Sequence, residues 1–427
     1  MKQSGIDWIG EIPDDWKIIR LKHIFQIKKD IAGKEGFTVL SVTQTGIRPK
    51  DMSSKGQFAL DYSKYQLVNS GEFIMNHMDL KTGWIDISKY NGVTSPDYRV
   101  FYLTNNNCIK DYYKQIFQYC YKNLIFFSLG QGVADLGRWR LPADMFNNFK
   151  LPLPPKATQE RIAEYLDKKV SEIDSIIEES KKSIEEYKAW KQSVIFEAVT
   201  GKNLNCKKKD SGIEWIGEIP EEWEIKRLKN LFDFGKGLPI TKENLQETGV
   251  SVISYGQIHS KQNSGTKIDD SLKRFVDESY LISNSNSLVH KSDFIFADTS
   301  EDLEGCGNCV YVDEEQTLFA GYHTIIFSSK IKQNNKYLAY LFKTDAWRNQ
   351  IRSRCNGVKL FSITKRILSN VNIVLPPLPE QEAIAKMLDS KCAQIDSLIA
   401  EKESLIADLT EYKKSLIFEV VTGKRSV

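Results

Sequence analysis

An internal repeat constrains the fold of this chain more than any other sequence feature. The segment SGIDWIGEIPDDWKIIRLKHIF begins at Ser4, and the closely similar SGIEWIGEIPEEWEIKRLKNLF begins at Ser211. The tryptophans of the first segment, Trp8 and Trp16, recur in the second. The chain therefore uses one local structure at two places.

A second pair of related segments closes each copy. LPLPPKATQERIAEYLDKKVSEID begins at Leu151, and VLPPLPEQEAIAKMLDSKCAQID begins at Val374. The similarity continues to SVIFEAVTGK in the first copy and SLIFEVVTGK in the second. The sequence therefore predicts two half-units, 4–202 and 211–424, joined by a polar linker over 203–210.

Between these boxes the two copies diverge. Residues 26–150 and 233–373 share only fragments, such as Phe73-Ile74 with Phe294-Ile295. Constant ends around different middles indicate one docking geometry that carries two specificities. The alternative interpretation is an old duplication that has drifted.

Each closing segment predicts a long helix. From Gln159 to Val199 there is no Pro or Gly, and apolar residues recur at heptad spacing, with polar breaks at Ser180 and Lys191. The second copy repeats the pattern with breaks at Lys402 and Lys413. Each apolar seam needs a partner, and the other copy is the simplest one. A perpendicular two-fold axis makes the helices antiparallel and places the middles at opposite ends of a rod, whereas a parallel pair places both at one end.

The two middles favour a mixed architecture. Short β-type runs such as 37–42, 98–103, 250–253, 292–297 and 323–327 alternate with Gly, Asn and Asp turn signals. Helices are predicted over 111–122 and 336–355. The predicted fold class is α+β, with two mixed α/β domains separated by two long antiparallel coiled-coil helices in a pseudo-two-fold internal repeat.

Basic, amide and aromatic side chains cluster in the predicted loops of both middles. Arg, Lys, Asn and Gln read base edges and hold phosphates, so these clusters are candidate DNA-binding sites. Gly130 and Gly132 are predicted to let the backbone approach a phosphate. The candidates are Gln44, Thr45, Arg48, Lys50, His77, Lys81, Gln131, Arg138 and Arg140 in the first middle, and Tyr255, Gln257, His259, Lys261, Arg352, Arg354, Asn356 and Lys359 in the second.

Composition limits the alternatives. The net charge of the 427 residues is only +3, so nucleic-acid contacts must come from local patches. There is no apolar signal core near Met1 and no run of about 20 apolar residues, so a cytoplasmic protein is expected. The seven cysteines are expected to be reduced thiols.

The sequence contains no recognisable catalytic motif. There is no GxxxxGK[ST] loop, and the double prolines stand in Leu-Pro-Pro-Lys and Leu-Pro-Pro-Leu, unlike the Asp/Asn-Pro-Pro-Tyr/Phe of amino methyltransferases. Cys306 and Cys309 have the spacing of half a zinc site, but a second pair is lacking and a turn with buried thiols is favoured. We therefore predict no catalytic residue and no metal site.

The ordered boxes, WIGEIP-x-x-W, LPP…QE and FE-x-V-TGK, each present twice, resemble the specificity subunit of type I restriction–modification systems. The resemblance covers nearly the whole chain. Fragments of the middles, MNHMDLKTGW from Met75 and ADTSED from Ala297, add to it.

This resemblance implies that each middle is a target-recognition domain for one half of a bipartite, asymmetric DNA site, and that the helices set the spacer. It also implies docking of two methyltransferase subunits, which methylate adenine with S-adenosylmethionine, and of ATP- and Mg-dependent restriction subunits. This chain would hold no cofactor. The implied domains are 1–150, 151–202, 211–373 and 374–427, with the linker 203–210.

The boxes and the outer helix faces are predicted to contact the methyltransferase partners, although simple core packing would also explain the box residues. Two other functions remain open: a protein scaffold that has lost DNA binding, and a single-chain enzyme. The candidate partner contacts are Trp8, Ile9, Trp16, Trp215, Ile216 and Trp223.

Overall fold

The computed structural model of the chain describes residues 1–51, 61–132, 139–357 and 359–427. By its internal contacts the chain divides into two compact units. Unit 1 comprises Met1–Lys181 with Glu403–Val427, and unit 2 comprises Lys182–Lys402. Each unit therefore contains the first part of one long helix and the last part of the other.

Unit 1 is built from short strands and helices, and its variable middle, 26–150, lies between β3 and the end of β12. Its strands are β1 (Lys2–Gln3), β2 (Glu11–Ile12), β3 (Lys17–Arg20), β4 (Phe25–Lys28), β5 (Leu40–Thr43), β6 (Gly46–Pro49), β7 (Gln66–Val68), β8 (Phe73–Met75), β9 (Ile85–Ile87), β10 (Gly92–Thr94), β11 (Arg99–Leu103) and β12 (Lys150–Leu153). Its helices are α1 (Lys110–Lys122), α2 (Ile125–Ser128), α3 (Ala143–Asn148) and the start of α4 (Lys156–Thr200).

Unit 2 repeats this order with a longer middle. Its strands are β13 (Lys208–Asp210), β14 (Glu218–Pro220), β15 (Glu224–Arg227), β16 (Phe232–Lys236), β17 (Val250–Ile253), β18 (Arg274–Val276), β19 (Leu288–Val289), β20 (Phe294–Ala297), β21 (Thr299–Ser300), β22 (Cys309–Tyr311), β23 (Leu318–Ala320), β24 (Thr324–Ser329), β25 (Phe361–Ser362) and β26 (Asn372–Leu375). Its helices are α5 (Leu228–Leu231), α6 (Tyr255–Ile258), α7 (Tyr280–Ser283), α8 (Asn335–Phe342), α9 (Asp345–Arg352), α10 (Lys365–Ser369) and the start of α11 (Leu378–Val421).

The central sheet is the same in both units. In unit 1 four antiparallel strands follow the order β4-β11-β8-β9, and in unit 2 they follow β16-β24-β20-β22. Both units also contain a smaller set of paired strands: β18-β17-β23-β19 in unit 2, and in unit 1 the pairs β5-β6 and β7-β10, which a parallel bridge between Val39 and Val93 joins. Unit 2 likewise includes a parallel pair, β17 with β23, so the two middles share one domain architecture.

Aromatic side chains fill the same core positions in the two sheets. Phe73 of β8 stacks on Phe101 of β11 with ring centroids 5.0 Å apart. In unit 2, Phe294 of β20 and Phe327 of β24 both pack against Phe232. All of these rings are buried. Burial of such large apolar side chains supplies the main driving force for each domain.

Within each unit the two long-helix segments run antiparallel. In unit 1 the Tyr112 hydroxyl, close to the start of α4, donates to the carbonyl of Val421 at the end of α11. Farther along, Asp174 of α4 pairs with Lys413 of α11 at 2.5 Å. Unit 2 has the corresponding Lys191–Asp396 ion pair at 2.6 Å. Of the lysines predicted as seam breaks, Lys191 and Lys413 thus form ion pairs between the helices.

The predicted fold class is confirmed: two α+β domains with a coiled coil. The predicted helix over 159–199 is part of α4, and the strands over 98–103 and 250–253 are present. The predicted helix over 336–355 is wrong as a single element. It breaks between α8 and α9, because the Thr344 side chain accepts a hydrogen bond from the Trp347 N–H and starts a new helix.

Candidate nucleic-acid interface

A cleft of about 410 Å³ opens beside the central sheet of unit 1. Lys29 follows β4, His77 follows β8, and Arg99 begins β11, so neighbouring strand ends bring these side chains together. Arg140, which precedes α3, completes this basic lining. His77 and Arg140 were predicted from the sequence as DNA-binding candidates, whereas Lys29 and Arg99 were not. Only the strand order brings these four residues together.

Two of these basic groups are held inside the domain. Burial and the nearby charges of Arg99 and Arg140 lower the pKa of His77 to about 3, so its imidazole is neutral near pH 7. Arg99 is also buried. Its guanidinium donates to the Leu141 carbonyl at 2.9 Å and lies over the Phe146 ring. His77 and Arg99 therefore shape the cleft more than they offer accessible charge.

The rim of the cleft carries an exposed pair. Gln131 and Arg140 form an antiparallel bridge, with N–H to carbonyl distances of 2.8 and 2.9 Å in the two directions. Both residues are exposed. A Cβ on Gly130 would lie 2.4 Å from the Trp139 ring, so that glycine serves an internal contact. Its approach to a phosphate stays a prediction. Arg138 lies outside the described residues.

The other candidates of unit 1 gather on the β5–β6 hairpin and the loop that faces it. The Gln44 amide donates to the Thr82 carbonyl at 3.2 Å, which joins the hairpin tip to the loop that carries Lys81. Arg48 hydrogen-bonds Thr45. Gln44, Thr45, Arg48 and Lys81 are exposed, and Lys50 is partly exposed. The structure therefore brings Gln44, Thr45, Arg48 and Lys81 to one patch, while Lys50 follows β6 at the other end of the hairpin.

Unit 2 has a cleft of about 580 Å³ that the sequence analysis did not identify. Lys236, Tyr322, His323 and Lys365 contribute to its lining. His323 Nδ1 lies 3.3 Å from Asp298 Oδ1. The available signal in the sequence was Gly235-Lys236-Gly237, which resembles only part of a dinucleotide motif. It lies at the end of β16, and Lys236 and Gly237 line the cleft.

The two clefts occupy equivalent places. If Phe73 is matched with Phe294, the strand registers also match Phe101 with Phe327 and Ile27 with Phe234. The same registers align three pairs of cleft residues: Lys29 with Lys236, His77 with Asp298, and Asp97 with His323. One lysine is kept, while a histidine and an aspartate exchange places.

Several candidates of unit 2 have structural roles. Gln257 accepts a hydrogen bond from the Ser254 N–H as part of a capping box at α6. His259 uses both ring nitrogens, at 2.8 Å from the Thr299 carbonyl and 3.1 Å from the Asn308 amide. Tyr255 packs edge-on against Tyr322 and His323. The fourth candidate of this segment, Lys261, is an exposed cation.

The loop after α9 carries the remaining candidates. Arg352 is engaged internally, by Asp345 at 2.8 Å and by the Glu304 carbonyl at 2.8 Å. Arg354, Asn356 and Lys359 are exposed. Asn356 forms a bridge with Ser362, and a Cβ on Gly357 would lie 2.1 Å from the Leu360 carbonyl oxygen. Glycine is therefore required to close this loop.

The two WIGEIP-x-x-W boxes pack against the ends of the long helices. Gly423 ends α11 with a φ of +75°, and a Cβ there would meet Pro13 and Trp16. In unit 2, Gly201 ends α4 with a φ of +68° and meets Pro220 and Trp223 in the same way. The left-handed conformation explains the glycine of each TGK sequence.

This packing decides which predicted partner-contact residues are accessible. Ile9, Trp16, Ile216 and Trp223 are buried inside the chain. Trp8 is partly exposed and stacks on Tyr119 and Phe149. Trp215, at 37% exposure, is the most accessible of the six. Core packing thus accounts for the four buried side chains.

The glutamines of the LPP…QE boxes, Gln159 and Gln381, join the middle of each copy to its long helix. Gln159 is buried, and its amide oxygen accepts the Ile109 N–H at 2.8 Å while its NH₂ donates to Pro154. Gln381 accepts the Asn334 N–H at 2.8 Å and donates to Pro376. The sequence analysis recognised these boxes as repeats but did not predict this role.

Exposed apolar side chains recur on the helices. Ile176 and Tyr412 flank the ion pair of unit 1, and their repeat counterparts Leu398 and Trp190 flank the ion pair of unit 2. All four are at least 37% exposed. We call these the unit 1 patch (Ile176, Tyr412) and the unit 2 patch (Trp190, Leu398).

Among the described residues, no group of three or more His, Cys, Asp or Glu side chains is placed to hold a metal ion. Cys306 and Cys309 are both buried, and burial raises the pKa of the Cys309 thiol to about 12. No helix in the described part of the chain is long and apolar enough to cross a membrane.

Comparison with known proteins gives consistent matches. Residues 13–186 and 220–406 match the family model for the type I restriction modification DNA specificity domain. The type I restriction enzyme MjaVIII specificity subunit of Methanocaldococcus jannaschii is 26% identical over 426 residues, which cover 97% of this chain and 93% of the relative. The EcoKI specificity subunit of Escherichia coli is 25% identical over 212 residues, 49% of this chain and 44% of the relative.

Two solved structures share the fold. One, from work on complex assembly and conformational transition of the type I R-M system, has a TM-score of 0.73 at 13% identity and covers 97% of this chain and 100% of its own. The HsdS subunit from Thermoanaerobacter tengcongensis has a TM-score of 0.59 at 14% identity, with 100% of both chains covered.

Proposed function

The chain belongs to the type I restriction modification DNA specificity family, and from this premise we propose that its two recognition domains read the two different halves of one bipartite DNA site. The observation that carries the proposal is the pair of equivalent clefts. In each unit the cleft lies at the same position on the central sheet. The two clefts share a lysine, but the residues around it differ. A shared scaffold with changed rim residues is what two related readers of different sequences require.

DNA affinity would come from exposed cations near the clefts. Lys29, Lys81 and Arg140 in unit 1 are exposed, as are Lys261, Arg354 and Lys359 in unit 2. Such side chains neutralise phosphates and release counterions, so affinity should fall steeply with salt. The long helices, whose caps and ion pairs are repeated, would set the gap between the half-sites.

Catalysis would belong to partner subunits. Two methyltransferase subunits would dock on the repeated frame and bring S-adenosylmethionine for adenine methylation, and restriction subunits would bring the ATP and Mg chemistry. The unit 1 and unit 2 patches support two equivalent docking sites, since exposed apolar residues recur at the same helix positions. Trp215 of the second box adds an accessible aromatic side chain.

A domain exchange tests this function. The full chain is co-expressed with the methyltransferase subunit of the same organism, and adenine methylation is mapped across the host genome. Replacement of residues 26–150 by the matching domain of another family member should change one half of the methylated motif and leave the other half unchanged. Copurification of the methyltransferase should persist, because neither helix patch is exchanged.

Two outcomes would contradict the proposal. If both halves of the motif changed, the domains would not read separately. If the methyltransferase copurified with the unmodified chain but no sequence-specific methylation followed, the chain would be a scaffold that has lost DNA binding.

A further inference from the structure

We propose that one bridged residue pair on each cleft rim determines sequence specificity: Gln131 with Arg140 in unit 1, and Asn356 with Ser362 in unit 2. The inference rests on the proposed function and sharpens it, since it names the residues that distinguish the two half-sites. Three of these residues were individual candidates in the sequence. Their pairing, and the place of Ser362, come from the structure.

The two antiparallel bridges lie at equivalent places in the two units. In unit 1 the Leu141 N–H, one residue after the bridge, donates to the His77 carbonyl at 2.9 Å. In unit 2 the Ile363 N–H, again one residue after the bridge, donates to the Asp298 carbonyl at 2.7 Å. Because strand register already matches His77 with Asp298, Arg140 corresponds to Ser362.

The bridges also fix the other member of each pair. Gln131 is the bridge partner of Arg140, and Asn356 is the bridge partner of Ser362. Gly132 follows the first amide and Gly357 follows the second, so both amides precede a glycine. Residues paired across an antiparallel bridge project their side chains to the same side, so each rim presents two neighbouring side chains.

Accessibility separates these pairs from residues that are buried or bonded within the domain. Gln131, Arg140, Asn356 and Ser362 are all exposed. Within the described residues, no side-chain hydrogen bond or ion pair engages the Gln131 amide or the Arg140 guanidinium. By contrast, Arg99 is buried and His259 uses both ring nitrogens. The bridged pairs are therefore poised for an outside partner.

The chemistry of each pair predicts a different readout in the major groove. An arginine donates two hydrogen bonds to guanine O6 and N7, and a glutamine or asparagine amide pairs with adenine N6 and N7. Serine contacts either base. The pair in unit 1 therefore specifies a guanine through Arg140, while the pair in unit 2 keeps an adenine-reading amide and lacks a guanine-specific side chain.

The test maps adenine methylation by the full chain, co-expressed with the methyltransferase subunit of the same organism. In the Arg140→Ser variant, one guanine position of the half-site read by unit 1 should become degenerate, with roughly tenfold or more loss of discrimination there. The half-site read by unit 2 should not change. The reciprocal Ser362→Arg variant should add a guanine requirement to the half-site read by unit 2.

A matched control removes charge elsewhere on the same domain. Lys89 is exposed between β9 and β10 and does not line the cleft, so Lys89→Ser should leave the motif unchanged. An Arg140→Ser variant that methylates the unaltered motif, or that weakens methylation equally at all sites, would overturn the inference while leaving the proposed function intact. Absence of sequence-specific methylation by the unmodified chain would overturn the proposed function and this inference together.

Discussion

The two recognition domains share a sheet but differ at its rim. Strand order and the positions of core aromatics agree between β4-β11-β8-β9 and β16-β24-β20-β22. The cleft rim of unit 2 nevertheless has Ser362 where that of unit 1 has Arg140. The repeat is therefore retained in the sheet, where residues pack against one another, and has diverged at the rim, where side chains face solvent.

The retained contacts can be traced to single groups. Tyr112 donates to the Val421 carbonyl at 2.9 Å in unit 1, and Tyr337 donates to the Val199 carbonyl at 2.9 Å in unit 2. Both tyrosines are fully buried. Each connects a recognition domain to the last turn of a long helix, whose final carbonyls lack partners within the helix.

The largest expected effect comes from these two tyrosines. Tyr112→Ala should destabilise unit 1, and Tyr337→Ala unit 2, each by about 3–5 kcal/mol, since a large buried ring is removed. Hydrogen exchange of the full chain, followed by mass spectrometry, reports the two units separately. Each variant should accelerate exchange mainly in its own unit.

Conservative variants separate packing from hydrogen bonding. Tyr112→Phe and Tyr337→Phe keep the ring and should cost only about 0.5–1.5 kcal/mol each. If one alanine variant loosened its unit and the other did not, the equivalence of the two tyrosines would be disproved.

The sequence predicted elements with a long or repeated signal. The heptad pattern from Gln159 predicted most of α4, and short β-type runs between turn signals predicted β11 and β17. The glycines of the TGK sequences follow the helix ends, where C-capping favours glycine. Such features are local, because periodicity and capping chemistry act over a few turns of chain.

The candidate sites depended on contacts that sequence does not show. His259 is a residue type that could read a base. However, two groups distant in sequence, the Thr299 carbonyl and the Asn308 amide, occupy its ring nitrogens. The cleft of unit 2 combines Lys236, His323 and Lys365, which meet only through strand order. The α8–α9 break was missed because one hydroxyl cap at Thr344 outweighed a continuous helical pattern.

A smaller effect, the dependence of folding stability on pH, should distinguish the two units. His77 remains neutral in folded unit 1 because its pKa is about 3, whereas in the unfolded chain it takes up a proton below about pH 6.5. The unfolded state then binds more protons, so the stability of unit 1 falls as pH decreases from 6.5 towards 3. By pH 5.5 the loss should reach about 1.4 kcal/mol. Asp298 occupies this position in unit 2, so unit 2 lacks this contribution.

Hydrogen exchange of β8 and β11, with intrinsic rates corrected for pH, measures the effect. The His77→Gln variant should flatten the dependence of unit 1 stability on pH between 7 and 5.5. His23→Gln, which changes an exposed histidine of the same unit, should keep the original slope. An unchanged slope in His77→Gln would mean that His77 does not stay neutral in the folded cleft.

The smallest effect concerns the two interhelical ion pairs, Asp174–Lys413 in unit 1 and Lys191–Asp396 in unit 2. The aspartates are about half exposed, so solvent screens each pair, and alanine double-mutant cycles should give a coupling energy of only about 0.2–1 kcal/mol. The two values should agree, because repeat-related residues make both contacts, and both should fall as salt is raised. The Glu178–Lys181 pair on one helix is the matched control, and its coupling should lie near 0.2–0.5 kcal/mol. A coupling present in one unit and absent in the other would show that the helices pack differently in the two units, and would confine their equivalence to the recognition domains.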